Sequence, residues 1–344
     1  MNASFPGATP GASLQERDAV DRIRFSVIIP VLNEERVIGR CLESLKQLNF
    51  APEVFEVIVV DNGSVDGTIE MVHKVESSLN VKILEKKDVS ISALRNLGAA
   101  RARGEVLGFL DADCLAPTNW ACDALTFIHP GDHQIIGARY RIPEGSSWVA
   151  RAWSQGRETK QRELVSYVPS GNLIISHSSF LEVGGFDEQL QTNEDYEFCQ
   201  RALSKGFRIV AHPDIAVIHL GTPQRLQDFY RKQRWHGTHV FRVFLRDPNR
   251  RQNAKAVLFT SYMFGGLLIC CVGLIPLCLG HPVLFLTAIS ATLLAPILLT
   301  LKDIFQGKRL ADFGSLVLLY ATFGIARCAS LLNRKSWQST ARTE

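Results

Sequence analysis

Between residues 24 and about 220, short β-rich apolar runs alternate with stretches whose apolar positions recur every three or four residues. Phe25–Val31 reads as a first strand. Val37, Ile38, Cys41, Leu42, Leu45 and Leu48 then follow at helical spacing. Asn33 is placed to cap that helix, and Glu34 and Glu35 suit the positive end of its dipole. Residues 55–60 predict a second strand ending on Asp61-Asn62-Gly63, and Asp66-Gly67-Thr68 opens another helix. Residues 81–84, 91–101 and 105–110 continue as strand, helix and strand. This alternation predicts βαβ units and a mainly parallel sheet. Past Pro143 the pattern loosens: 148–163 predicts a helix of mixed charge, 171–176 a strand, 195–205 a helix and 215–220 a final strand.

The pattern changes after Lys255. Residues 256–280 hold no charged side chain in 25 positions and residues 282–301 none in 20, so each is long enough to span a hydrocarbon core. Gly280-His281 between them makes a helical hairpin. Residues 313–332 are a third candidate, weakened by Arg327, which lies near the end and can snorkel. The basic stretch before the hairpin and the 302–309 loop lie on the cytosolic side by the positive-inside rule, and with them the α/β region. Arg334, Lys335 and Arg342 in the tail want the same side, which three full spans forbid. The third segment is then re-entrant or interfacial, or the rule fails here.

Composition adds little except by position. The 38 basic and 34 acidic side chains among 344 residues are too balanced for a nucleic-acid binder. Residues 225–255, however, carry nine Lys or Arg against Asp228 and Asp247, a basic juxtamembrane segment suited to anionic lipid. The first 22 residues lack the basic start and apolar core of a secretory signal and read as a disordered leader. Eight scattered cysteines, with no C-x-x-C pair, favour neither zinc nor a disulfide framework and fit a reducing cytosol. The expected organisation is a leader (1–22), an α/β domain (23–222), the basic segment (223–255), the membrane region (256–332) and a basic tail (333–344).

The chemistry gathers where strands end. Residues 107–110 run straight into Asp111-Ala112-Asp113. In open α/β sheets the ligand crevice lies at the carboxyl edge of the strands. Two carboxylates there can hold Mg²⁺ or Mn²⁺, with substrate phosphates completing the shell. Asn33-Glu34, Asp61 and Asn193-Glu194-Asp195 are expected on the same edge.

The ordered series Val27-Ile-Ile-Pro-Val-Leu-Asn-Glu34, Val57-Ile-Val-Val-Asp-Asn-Gly-Ser-Val-Asp-Gly-Thr68, Arg95-Asn-Leu-Gly98, Phe109-Leu-Asp-Ala-Asp113, Val183-Gly-Gly-Phe-Asp-Glu188 and Glu194-Asp-Tyr-Glu-Phe198 resembles the family 2 glycosyltransferases of the GT-A fold. The resemblance covers residues 25 to about 220. It implies a Rossmann-like GT-A domain followed by transmembrane helices. It also implies that Pro30, Val31, Asn33, Glu34 and Asp61 hold the nucleobase and ribose of a nucleotide-sugar donor. Asp61 has a competing reading as an Asx turn with Asn62-Gly63. Arg95 is implied near base or diphosphate, or is a solvated helix charge.

By the same resemblance Asp111 lies near ribose and metal, and Asp113 ligates the metal. His219 either reaches that metal or is structural. Asp195 is implied as general base, with Glu194 beside it raising the proton affinity of one of the pair. Gly171-Asn172 and Gly184-Gly185 are implied around donor sugar and acceptor, with ordinary turns as the alternative. The family's processive members carry Gln-x-x-Arg-Trp before the membrane. Here the text is Arg231-Lys-Gln-Arg-Trp235, which keeps Arg234 and Trp235 but loses the Gln and argues against polymer synthesis. Arg234 and Trp235 are expected on the acceptor or phosphate side, and membrane anchoring is the alternative use of the basic stretch.

The expectation is a membrane-anchored, metal-dependent, inverting transferase moving one sugar to a membrane-held acceptor hydroxyl. A polyprenyl phosphate is the alternative acceptor. Two other classes stay open: a nucleotidyltransferase, which would normally show a Gly-rich basic loop where Val31-Leu-Asn-Glu-Glu35 stands, and a catalytically silent sugar-nucleotide-binding membrane protein.

Overall fold

The computed structural model describes residues 23–51, 54–76, 78–155, 158–238, 244 and 250–332. The expected leader, the basic tail and most of residues 239–249 lie outside the described residues.

The first half follows the predicted alternation closely: β1 (Phe25–Val31), α1 (Ile38–Lys46), β2 (Phe55–Asp61), α2 (Thr68–His73), β3 (Val81–Glu85), α3 (Ile91–Arg101) and β4 (Val106–Leu110). Every residue of β1, β2 and β4 is buried, as expected of strands covered on both faces. Val27, Ile29, Val57 and Val59 face the side packed by α1, while Ile28, Ile58 and Phe109 face the side packed by Leu94 and Phe198.

Beyond β4 come β5 (Cys114–Leu115), α4 (Trp120–Phe127), β6 (Gln134–Gly137), α5 (Trp148–Ser154), β7 (Glu163–Leu164), β8 (Asn172–Ser176), α6 (His177–Val183), α7 (Glu194–Ser204), β9 (Arg208–Ala211) and β10 (Ile218–His219). The main sheet has eight strands in the order β3-β2-β1-β4-β8-β6-β9-β7. β3, β2, β1 and β4 are parallel, as are β6 and β9; β8 runs antiparallel between β4 and β6. Parallel pairing with Val31 opposite Asp61 brings the carboxyl ends of β1 and β2 level. The reversed β8 sets Asn172 opposite Leu110, so its first residues stand beside the acidic turn after β4.

Three local expectations are corrected. The helix expected over 148–163 stops at Ser154, and Glu163–Leu164 is instead an edge strand paired with β9. The strand expected over 215–220 is split into a 3₁₀ turn at Pro213–Ile215 and the two-residue β10, which pairs with β5. Asn33 does not cap α1; its backbone is left-handed (φ 56°) and its Oδ1 accepts from the Val65 N–H 2.9 Å away.

A basic helix, α8 (Leu226–His236), leads on to α9 (Arg250–Cys278), α10 (Pro282–Phe305) and α11 (Phe313–Leu331). All three of the last are long and apolar enough to cross a membrane. Gly280, at φ 84°, makes the tight link of the α9–α10 hairpin. Arg327 does not snorkel outward. Its guanidinium lies over the Phe323 ring at 5.0 Å and reaches Gln233 Oε1 of α8 at 3.5 Å.

Candidate functional site

The site is built around Arg95 on the inner face of α3. Only 1 % of its side chain is exposed, which removes the solvated-charge reading. One terminal nitrogen donates to Asp111 Oδ1 at 2.7 Å and the other to Glu194 Oε1 at 2.9 Å. A buried guanidinium demands such partners, and here they come from β4's end and α7's start. Glu194 Oε1 also accepts from the Ser170 hydroxyl at 3.1 Å, and Asp111 Oδ2 from the Tyr140 hydroxyl at 3.3 Å. Arg95 thereby fixes the acidic turn after β4 against the acidic start of α7.

Asp113 sits two residues on, where the β5–β10 pairing puts His219 opposite Cys114. His219 Nε2 lies 3.4 Å from Asp113 Oδ2, and its Nδ1 is 3.0 Å from the Thr222 hydroxyl. Tyr140 stacks on the ring at 4.6 Å. Burial, assisted by Lys232, pushes the imidazole pKa down and keeps it neutral despite Asp113. Two glycines make room for the carboxylates. A Cβ on Gly221 would fall on Asp113 Oδ2, and one on Gly171 on Asp111 Oδ2 and the Tyr140 hydroxyl. Neither Gly221 nor Tyr140 carried a readable signal in the sequence, because each matters only through what folds onto it.

At the ends of β1 and β2, Asp61 accepts from the Gly63 and Ser64 backbone N–H groups at 3.1 Å and from the Ser64 hydroxyl at 2.6 Å, forming the Asx turn. That turn aims the Ser64 Oγ at the Asn33 N–H, 2.9 Å away, and so locks the two strand ends together. Glu34 donates its N–H to Thr68 Oγ1, and its carboxyl is half-buried near Asp113 and Asp111. Burial first, then those two charges, push its pKa up to about 7. Pro30 and Val31 lie buried at the end of β1.

Asp195 stands at the start of α7, after Asn193 in a left-handed conformation (φ 63°). Its carboxylate accepts from the Tyr196 N–H at 2.7 Å. Burial, and then the neighbouring Glu194 charge, raise its pKa from 3.8 to about 7. Burial is the larger cause, and the pairing with Glu194 expected from the sequence is the second.

The structure does not bring every candidate to this edge. Asn172 is fully buried: its Oδ1 accepts from Trp120 Nε1, and its Nδ2 donates to the Ala138 and Ile215 carbonyls. It is a strut of the sheet, not a ligand-facing group. Gly184, at φ 97°, ends α6, and Gly185 packs on Asn96, so that pair is an ordinary turn. Arg234 and Trp235 are exposed on α8, with no hydrogen bond among the described residues placing them at the site. The neighbouring Lys232, overlooked in the sequence among nine basic residues, does reach it. Its Nζ donates to the Gly221 carbonyl at 3.2 Å, and its charge acts on Glu34 and His219.

No group of three or more His, Cys, Asp or Glu side chains capable of holding a metal exists among the described residues. Asp113 with a neutral His219 offers one hard oxygen and one imidazole nitrogen. That donor set fits a divalent ion whose remaining ligands come from phosphate and water, and it does not fit a closed protein cage.

The chain is 29 % identical over 205 residues to glycosyltransferase AglE of Haloferax volcanii, covering 58 % of this chain and 67 % of that protein. It is 37 % identical over 257 residues to the poly(ribitol-phosphate) β-N-acetylglucosaminyltransferase TarS of Staphylococcus aureus, covering 70 % and 45 %. The pre-mycofactocin glycosyltransferase of Mycobacterium tuberculosis is 29 % identical, covering 73 % and 52 %. The chain thus spans about half the length of the last two. The mannosyltransferase PcManGT of Pyrobaculum calidifontis, solved with GDP-Man and Mn²⁺, shares the fold with a TM-score of 0.60 at 19 % identity, covering 92 % of this chain and 88 % of that one. Residues 26–184 match the model of glycosyl transferase family 2, and residues 108–303 that of glycosyl transferase family group 2. The acidic edge, the GT-A sheet and these matches coincide, and the chain belongs to the family 2 glycosyl transferases.

Proposed function

We propose that the protein transfers a single sugar, with inversion, from a nucleotide-sugar donor to an acceptor hydroxyl held at the membrane. Its catalytic domain (23–222) faces the cytosol, anchored by the apolar helices and by a basic segment (223–255) that meets anionic lipid. The observation that carries this reading is the convergence of Glu34, Asp61, Asp111, Asp113 and Asp195 on one sheet edge, with Arg95 tying two of its parts together.

In this reading the turn formed by Pro30, Val31, Asn33 and Glu34 with Asp61 holds the nucleobase and ribose. Strand-end carboxylates accept hydrogen bonds from base N–H and ribose hydroxyl groups. Arg95 is a positioning residue that sets Asp111 toward the ribose and metal. Asp113 and His219 hold Mg²⁺ or Mn²⁺; PcManGT of the same fold was solved with Mn²⁺. The ion supplies charge neutralisation to the departing nucleoside diphosphate. Lys232 adds a cation on the same side. The acceptor oxygen attacks the anomeric carbon in line, the carbon–oxygen bond to the diphosphate breaks, and Asp195 takes the hydroxyl proton. Gly171 lets the loop before β8 approach the donor closely.

A polyprenyl-phosphate acceptor is the second reading, since a phosphate oxygen needs little base catalysis. The raised proton affinity of Asp195 favours the hydroxyl acceptor.

The test is turnover by the full chain in detergent across a panel of nucleotide-sugars, with Mn²⁺, Mg²⁺ or chelator. Metal-dependent release of nucleoside diphosphate from one donor, lost in Asp113→Asn, is the expected result. Asp195→Asn should lose transfer to a glycolipid acceptor while still binding donor. Folded protein that binds donor and never turns it over would indicate the catalytically silent alternative.

A further inference from the structure

The three apolar helices are alike in composition, but they are not alike in surroundings. α11 is in contact with α5 of the catalytic domain near its start and with α8 of the basic segment along most of its length. Leu316 and Leu319 pack with Val149 and Ala152 of α5 and with Phe229 of α8. Further along, Arg327 reaches Gln233, and Ser330 packs against Gly237 at the end of α8. From Leu316 to Ser330 is about 21 Å at 1.5 Å per residue. A hydrocarbon core is about 30 Å thick. A helix crossing it could touch α8, which carries Asp228, Arg231, Lys232 and Arg234, only at one end.

The contacts with the hairpin point the same way. Tyr320 donates its hydroxyl to Asp303, two residues before the end of α10. Gly324 packs on Met263, and the Cys328 thiol donates to the Thr260 carbonyl at 3.6 Å. As α11 advances from Gly324 to Cys328, its partner on α9 steps back from Met263 to Thr260. A span running alongside α10 from the same side would move the other way, toward the hairpin tip. α11 instead crosses the base of the hairpin.

Its remaining face is apolar and open. Gly314, Leu318, Ile325 and Leu332 are exposed, the last three at 47, 43 and 72 %. With 3.6 residues per turn they fall within about 40° of one another, on the side away from Leu316, Leu319, Phe323 and Arg327. The helices that clasp α11 each carry an exposed tryptophan, Trp148 on α5 and Trp235 on α8. Tryptophan is the residue enriched at membrane–water interfaces.

We infer that α11 does not cross the membrane but lies in its cytosolic face, with α5 and α8 on one side of it and lipid acyl chains against the Leu318–Ile325–Leu332 stripe on the other. The occupant of that stripe is the bilayer, because α11 packs directly on the hairpin, whose own exposed side chains are mainly apolar. α11 is apolar all round because none of its three faces meets water: one is protein core, one the hairpin base and one lipid. Two spans, rather than three, then return the chain to the side of the catalytic domain. The conflict between three spans and the basic tail disappears. The inference rests on the membrane-anchored reading above, but not on the transfer reaction.

Depth-resolved quenching tests it. A fluorescent non-natural residue is placed singly at 318, 325 or 332 of the full chain, and at 269 in mid-hairpin, where Ile269 is exposed. The protein is embedded in nanodiscs of phospholipid brominated at shallow, middle or deep acyl positions. The expected result is strongest quenching at 318, 325 and 332 by the same shallow bromines, with 269 quenched by the deep ones. A depth that shifts by about 20 Å between 318 and 332 overturns the inference and makes α11 a span. Quenching at 269 with none at the other three overturns it in favour of a helix covered by protein. Absence of quenching at all four positions overturns the membrane-anchored reading along with it.

Discussion

Arg95 donates to Asp111 at 2.7 Å from a position that is 1 % exposed, so the acidic turn after β4 is held from beneath by a cation that solvent does not reach. The same guanidinium holds Glu194, 99 residues further along the chain. The sheet edge and the start of α7 are therefore one electrostatic unit.

Removing that cation leaves two carboxylates uncompensated. Arg95→Met is expected to destabilise the catalytic domain by about 3–5 kcal/mol, the usual cost of breaking a buried ion pair from one side. Arg95→Lys keeps the charge but not the two-pronged geometry, and should lose less stability. Chemical denaturation of both variants in detergent measures the difference. Equal losses in the two would show that the two-pronged geometry, and not the charge alone, holds the unit.

Asp195 titrates near 7 when folded, against 3.8 in its ordinary state. A carboxyl whose pKa rises on folding stabilises while protonated. That contribution is complete below the ordinary value and is lost as the pH climbs through 7. The melting temperature of donor-free protein should fall between about pH 4 and 7, and fall less in Asp195→Asn. Transfer to an acceptor should instead rise between about pH 6 and 8, as the base ionises around its folded value of about 7. Glu34, also raised to about 7, contributes to both curves, and Glu34→Gln separates the two.

Gly221 has an ordinary backbone, and its role is purely spatial. Gly221→Ala places a methyl group on Asp113 Oδ2. The carboxylate must swing away from His219, and metal-dependent donor turnover should drop by about a hundredfold, as for a misplaced reacting group. The melting temperature should change little, because the clash is with a partly exposed side chain. Gly171→Ala should instead push on Asp111, and through it on the Arg95 unit, and so lower stability as well.

Lys232 is the basic residue of α8 that reaches the acidic edge. Lys232→Ala should raise the KM for donor about tenfold, the scale of one hydrogen bond to a charged group. The effect should shrink as salt is added. Arg234→Ala, on the exposed face, should leave donor KM unchanged, whereas a like effect of both would mean that the basic helix acts by overall charge.

Much of this molecule was legible in its sequence. The mainly apolar runs at 25–31, 55–60 and 106–110 could only be buried strands once helical repeats were found between them, and a strand–helix alternation of that length leaves one common architecture. The stop of each run on Asn33-Glu34, Asp61 or Asp111 then named the edge where chemistry gathers. The hairpin was equally plain, because 25 and 20 positions without a charge have no other economical home. Tertiary structure decided what these residues face. Periodicity records that a position is buried, and says nothing of its partner. That Arg95 is an internal clamp, that Asn172 turns into the sheet, and that two-residue strands set His219 beside Asp113 all depend on pairings across 50 to 110 residues, where topology and not local pattern sets the neighbour. The apolar length of α11 was written in the chain for the same local reason. Its lie across the hairpin base was not, because lipid and protein core ask the same composition of a helix, and only packing against α5 and α8 tells them apart.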